Sequence, residues 1–136
     1  MAGDQAVIAL GIGCRRDAPA EDIEAVIARA LDAALLSAAA ISVIATEDDK
    51  ATEPGLVAVA RRLGRPLLGI VASELAKMSD LVVTRSERVQ ALKGVPSVAE
   101  TAALAAVGQG GRLILPRIAN ATAACALASD DAEPVA

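Results

Sequence analysis

The sequence predicts an α/β fold: a single three-layer α/β/α domain with a mainly parallel central sheet of about five strands. Three observations predict it. Short β-branched or apolar runs alternate with helical patterns, the order that builds a parallel sheet covered on both faces. Glycine-bearing or polar loops follow the first two runs, as strand ends in such sheets require. The 136 residues suffice for one modest core and no second catalytic domain.

Val7 to Ile12 is a buried strand that enters a tight loop at Gly11-Ile12-Gly13. Pro19 with Glu21, Asp22 and Glu24 opens a helix, since proline fits the first turn and acids complement its positive end. Its apolar positions Ile23, Val26, Ile27, Ala30, Leu31, Ala34 and Leu35 fall on one face. Ile41 to Ala45 is a second strand, and Thr46 to Thr52 a polar loop. A helix from about Glu53 to Leu63 stops at Gly64. Leu67 to Val71 is a third strand, and short helical turns open at Ser73 and Ser86, the second closed by Gly94. An Ala-rich helix runs to about Val107, followed by a loop at Gly108 to Gly111 and a strand over Arg112 to Pro116. Thr122 to Leu127 fits strand or helix by pattern; its shortness and the turn at Asn120 favour a strand. The domain is expected over 1–128, with 129–136 as a disordered acidic tail.

Composition narrows the function. The chain has no His and no aromatic residue, and its formal charge is −4. A histidine-dependent triad or His-bearing zinc site is excluded, and base stacking has no platform. The acidic balance argues against nucleic acid as a partner. The longest uncharged run, Ala33 to Thr46, is about 14 residues, short of the ~20 a membrane span needs. Asp4 stands where an export signal carries a basic residue, so a cytoplasmic location and two free thiols are expected. No metal site and no cofactor are expected, because no loop has carboxylate spacing suited to Mg or Ca.

Ligands of open α/β sheets bind beyond the carboxyl ends of the strands, which directs attention to Gly13–Ala18, Thr46–Glu53 and Arg117–Thr122. Arg15 and Arg16 are placed to grip an anion, because guanidinium matches carboxylate bidentately. Asp48, Lys50 and Glu53 add acid and base groups, and Arg117 a further cation. Read singly, each position has a plainer meaning: turn glycines, solvated charges, or an acid at a helix start. Cys14 is either a thiol activated by the neighbouring arginines or, with no His to deprotonate it, a small loop residue beside the strand. Cys125 reads as core.

Val7 to Arg16, Ile44 to Leu56, and Val95-Pro96-Ser97-Val98-Ala99-Glu100, in order and with Leu113 to Arg117 behind them, resemble the CobE/CbiG C-terminal family of cobalamin biosynthesis. Gly-Cys-Arg-Arg and Lys-x-x-Glu-Pro-Gly-Leu are its more specific parts. Nothing resembles the N-terminal part of longer CbiG proteins, so the likeness is to the stand-alone type. Asp17 and Arg117 depart from the family pattern, where a small residue and a Lys are more usual.

The resemblance implies a corrinoid or precorrin intermediate near the ring-contraction stage as ligand, with other cobalamin-pathway enzymes as partners. Such macrocycles are apolar and edged with carboxylates. Arg15, Arg16, Lys50 and Arg117 are expected to clamp these, while Gly11, Gly13 and Gly55 let the ring approach. Cys14, Thr46, Glu53, Ser97 and Thr122 complete the expected binding set. The implied chemistry is hydrolytic opening of a lactone, and in the absence of His the candidates to activate water are Asp48 and Glu100. The chain thus has three readings: a carrier or processing protein for the intermediate, a lactone hydrolase, and a generic nucleotide or phosphate binder.

Overall fold

The computed structural model describes residues 6–95 and 97–130. Five strands form one sheet: β1 (Ile8–Cys14), β2 (Val43–Glu47), β3 (Leu67–Ile70), β4 (Arg112–Ala119) and β5 (Ala123–Ser129). Their order is β3-β2-β1-β5-β4. β1 pairs parallel with β2, β2 parallel with β3, and β5 runs antiparallel to both β1 and β4. Four strands therefore point the same way and only β5 is reversed, so the sheet is mixed in pairing but mainly parallel in direction. Among the described residues five α-helices accompany it: α1 (Ala20–Ala34), α2 (Pro54–Leu63), α3 (Ala72–Lys77), α4 (Glu87–Lys93) and α5 (Val98–Val107).

Strand alternation divides the core. Leu10, Ile12, Ile44, Cys125 and Leu127 point to one face, where Ile23, Val26 and Ile27 of α1 and Leu56 and Val59 of α2 cover them. The opposite face carries mainly small residues, among them Ala45, Ala124, Ala126 and Ala128. This lets α5, buried from Val98 through Leu104, lie very close to the sheet. A Cβ on Gly11 would stand 2.0 Å from the Ala99 carbonyl oxygen and 2.6 Å from the Ala103 nitrogen. The Ala-rich composition thus sets the distance between two layers.

Local signals explain the boundaries. Pro19 caps α1, Gly64 ends α2 at φ 67°, and the Ser86 and Ser97 hydroxyls accept from the N–H groups of Val89 and Glu100 to start α4 and α5. Four expectations need correction. The tight loop expected at Gly11-Ile12-Gly13 is strand, since β1 runs on to Cys14 with all three residues paired to β5. The loop expected at Thr46 begins two residues later, because Thr46 and Glu47 are buried strand residues and the Thr46 hydroxyl donates to the Ile12 carbonyl at 2.7 Å. Pro116 lies inside β4 and does not end it, which an edge strand with register shifts tolerates. Ser129, placed in the tail, is a buried residue of β5 paired with Ile8 and Arg112. Asp130, also placed in the tail, is tied to Val7: its Oδ1 accepts from the Val7 N–H at 2.7 Å and its N–H donates to the Val7 carbonyl at 3.2 Å, while 131–136 lie outside the described residues.

Cys125 is a core residue whose thiol donates to the Val26 carbonyl at 3.4 Å, and burial pushes its pKa up to about 12. In the unfolded chain the thiol ionises first, so the folded state binds more protons and loses stability as the pH rises above about 9. Cys125→Ala is expected to flatten that alkaline decline, measured as urea midpoints between about pH 9 and pH 11. Equal slopes in the two proteins would refute this account.

Candidate functional site

The parallel strands end on one side of the sheet, and there the reversed β5 begins, so chain ends from four strands meet. A cavity of about 340 Å³ opens at this point, small against the usual range of ligand sites. Its floor is apolar or backbone: Gly13, Val98, Ala99 and Ala124. Its rim holds Arg15 from the end of β1, Arg88 from α4 and Arg117 from β4. Among the described residues none of these three guanidinium groups has an ion-pair or hydrogen-bond partner. Val89 and Leu92 of α4 form an apolar side wall, and Leu92 is 71% exposed.

The rim is braced from behind. The Arg15 N–H donates to the Thr122 carbonyl at 2.9 Å. Asn120 closes the β4–β5 turn: its side-chain oxygen accepts from the Thr122 and Ala123 N–H groups, and its amide donates to the Asp22 carbonyl at 2.8 Å. The Thr122 hydroxyl donates to Asp22 at 2.8 Å, so Thr122 lines the cavity with its hydroxyl already engaged.

An ion pair forms the remaining wall. Lys93 Nζ, at the end of α4, donates to Glu47 Oε1 at 2.7 Å, with side-chain exposures of 36% and 9%. Burial raises the Glu47 pKa from its ordinary value, with neighbouring Asp49 adding to the rise and Lys93 opposing it. Glu47 in turn raises the pKa of Lys93, and lowers that of Asp49. Cys14 is half-buried on the same wall, and desolvation raises its pKa against the charge of Lys50. It is a thiol at neutral pH, which is the plainer of the two readings of this residue.

The family model for the cobalamin synthesis G C-terminus matches residues 8–128. The chain belongs to the CbiG C-terminal family. Protein CobE from Sinorhizobium sp is 36% identical to it over 121 residues, which span 89% of this chain and 79% of that one. The crystal structure of CobE, a protein from the cobalamin biosynthetic pathway, superposes with a TM-score of 0.85 at 33% identity, covering 91% of this chain and 90% of its own. A cobalamin biosynthesis protein chiG from Agrobacterium tumefaciens gives 0.71 at 32% identity, covering 90% and 97%. A putative cobalamin biosynthesis protein G homologue from Sulfolobus solfataricus gives 0.72 at 26%, covering 92% of this chain but 37% of the longer one. The protein is thus a member of a cobalamin biosynthesis family.

Within this CbiG C-terminal domain, the expected site residues divide by position. Gly13, Cys14, Arg15, Arg117 and Thr122 line the cavity; Arg16 is exposed outside it. Lys50 lies beside Cys14 and Asp49 without lining it. Gly11 is covered by α5, and Gly55 is where α2 meets the first loop, a Cβ there standing 2.3 Å from the Ala18 carbonyl oxygen. Glu53 accepts from the Asp17 N–H at 2.7 Å, holding that loop in its left-handed turn at φ 61°. Thr46 and Ser97 are buried, bonding to Ile12 and capping α5. None of these five meets the cavity, and each fixes an element that does.

The two residues expected to activate water, Asp48 and Glu100, both lie outside the cavity lining. Asp48 is exposed in a turn lining a neighbouring recess that shares Glu47, Leu92 and Lys93 with the cavity. Glu100 is fully buried: Oε1 accepts from the Val83 and Thr84 N–H groups at 2.8 and 2.9 Å, and Oε2 from the Arg117 N–H at 2.7 Å. It ties the segment before α4 to β4, and its carboxylate is not exposed to the cavity. In Glu100→Gln the amide NH₂ can accept from neither side, leaving a donor unsatisfied at a cost of about 1–3 kcal/mol. A thermal midpoint lower by several degrees is expected, and an unchanged one would overturn the clamp.

Proposed function

We propose that this protein binds a polycarboxylate corrin precursor, as carrier or processing protein, by seating carboxylates of the macrocycle edge on Arg15, Arg88 and Arg117. The observation that carries the reading is the meeting of three unpartnered guanidinium groups over a small apolar floor. Guanidinium forks suit carboxylates, and membership of a cobalamin biosynthesis family supports a corrinoid as their bearer. A cavity of about 340 Å³ takes one edge of such a ring and leaves the remainder against Leu92 and solvent. Without Trp or Tyr the protein has almost no near-ultraviolet absorption, so a coloured ligand is read directly. A metal-free corrinoid intermediate passed with the protein down a sizing column is expected to comigrate. Free migration of the pigment past folded protein would sink the proposal.

One observation favours a hydrolytic step on that ligand. Among the described residues Glu47 is the carboxyl group lining the cavity, and its buried position beside Lys93 suits an acid–base role toward a bound ligand. If the lactone is opened here, Glu47→Gln stops its hydrolysis while Asp48→Asn leaves it running. The reverse pattern would return the role to Asp48.

A further inference from the structure

Lys93 stands on the cavity wall as a fourth cation, but Glu47 holds it. The two partners differ in freedom. Glu47 ends β2, its main chain is fixed by pairing with Ile70, and its side chain is 9% exposed. Lys93 ends a short helix with no buried residue, and its ammonium sits on a flexible stem, 36% exposed. Of the two partners, Lys93 is therefore the one free to move.

The surroundings of Glu47 set its protonation once Lys93 moves. Asp49 faces it from the turn after β2, and Lys93 from α4; Cys14 on β1 lies against the same pair and is a neutral thiol. Lys50 acts on Cys14 and Asp49, while Arg15, Arg88 and Arg117 occupy the ligand's side of the cavity. With Lys93 turned away, Glu47 is a buried carboxylate beside a second carboxylate, an arrangement that favours its protonated form.

We propose that Lys93 is a ligand-binding residue released from Glu47 by the incoming carboxylate, and that Glu47 takes up one proton from solvent as the ion pair opens. This inference rests on the carboxylate-binding reading of the cavity. Binding then removes a proton from solution, and affinity falls as the pH rises, by up to about tenfold per pH unit where only the complex is protonated. Glu47→Gln, a standing mimic of the protonated acid, frees Lys93 beforehand.

The probe is uroporphyrin, a coloured polycarboxylate tetrapyrrole, titrated between about pH 6 and pH 8. Calorimetry in two buffers of different ionisation enthalpy counts the protons exchanged. The wild-type protein is expected to take up close to one proton per ligand and to weaken with pH. Glu47→Gln is expected to bind with little uptake and a flat pH profile. Lys93→Met, altered at an exposed position, serves if the first variant does not fold; it is expected to bind more weakly, also without uptake. Wild-type binding with no uptake, or uptake that persists in either variant, overturns the inference and leaves the cavity reading standing. Failure of folded wild-type protein to bind the probe at any pH overturns both.

Discussion

Gly11→Ala is expected to prevent stable folding or to lower the thermal midpoint by about 10 °C or more. The new methyl group would stand 2.0 Å from the Ala99 carbonyl oxygen, 2.6 Å from the Ala103 nitrogen and 2.8 Å from the Ala103 Cβ. None of these is a flexible side-chain end. Nor is β1 free to retreat, since Gly11 is registered with Ala45 of β2 on one side and Ala126 of β5 on the other. Relief requires lifting α5 off the sheet, and overpacking of this kind costs roughly 3 kcal/mol or more. Gly13→Ala is the control, because its nearest contact is Val98 Cβ at 3.5 Å, an ordinary approach. Circular dichroism melting of the pair distinguishes them, and a Gly11→Ala midpoint equal to that of Gly13→Ala would mean that α5 is not seated as described.

The second large effect falls on binding. Arg15→Ala combined with Arg117→Ala is expected to abolish comigration of a corrinoid pigment. A guanidinium–carboxylate pair at positions open to solvent contributes about 1–2 kcal/mol. Removing two therefore weakens binding on the order of 10²-fold. Neither side chain supports the fold, since Arg15 and Arg117 are tied to it through their backbone N–H groups, so the double variant keeps its melting temperature. Arg16→Ala, outside the cavity, is expected to bind as wild type. Equal losses from Arg16→Ala and Arg15→Ala would indicate general charge attraction in place of a built rim.

The sequence makes the scaffold legible and the rim only half so. The Pro19 and Ser86 helix starts and the Gly64 and Gly94 stops act through neighbours in the chain, and the structure keeps them, whereas the ends of β1, β2, β4 and β5 shift by two or three residues because pairing with other strands sets them. Gly13, Cys14 and Arg15 are found by the rule that sites form beyond strand ends. Arg88 and Lys93 are not, because they lie on α4, and no local pattern says which loop that short helix overhangs. Glu47 had a usable signal: two residues after Ala45, it alternates onto the face opposite Ile44, but a run of charged residues masks the strand's end. Gly11 and Gly55 show the opposite ambiguity. A glycine marks a place where something comes close to the backbone, and here that is a helix and a loop carbonyl, not a ligand.

The alanine-rich contact between α5 and the sheet also bears on recognition. Alanine and glycine have no rotamers to surrender when they pack, so this layer is ordered without the side-chain entropy loss that a leucine core incurs. Ala99 and Ala124 belong to that layer and also form the cavity floor. The surface beneath a ligand therefore has almost no side-chain rotamers left to freeze, and immobilisation on association falls on a few longer side chains above it: Arg15, Arg88, Leu92, Lys93 and Arg117.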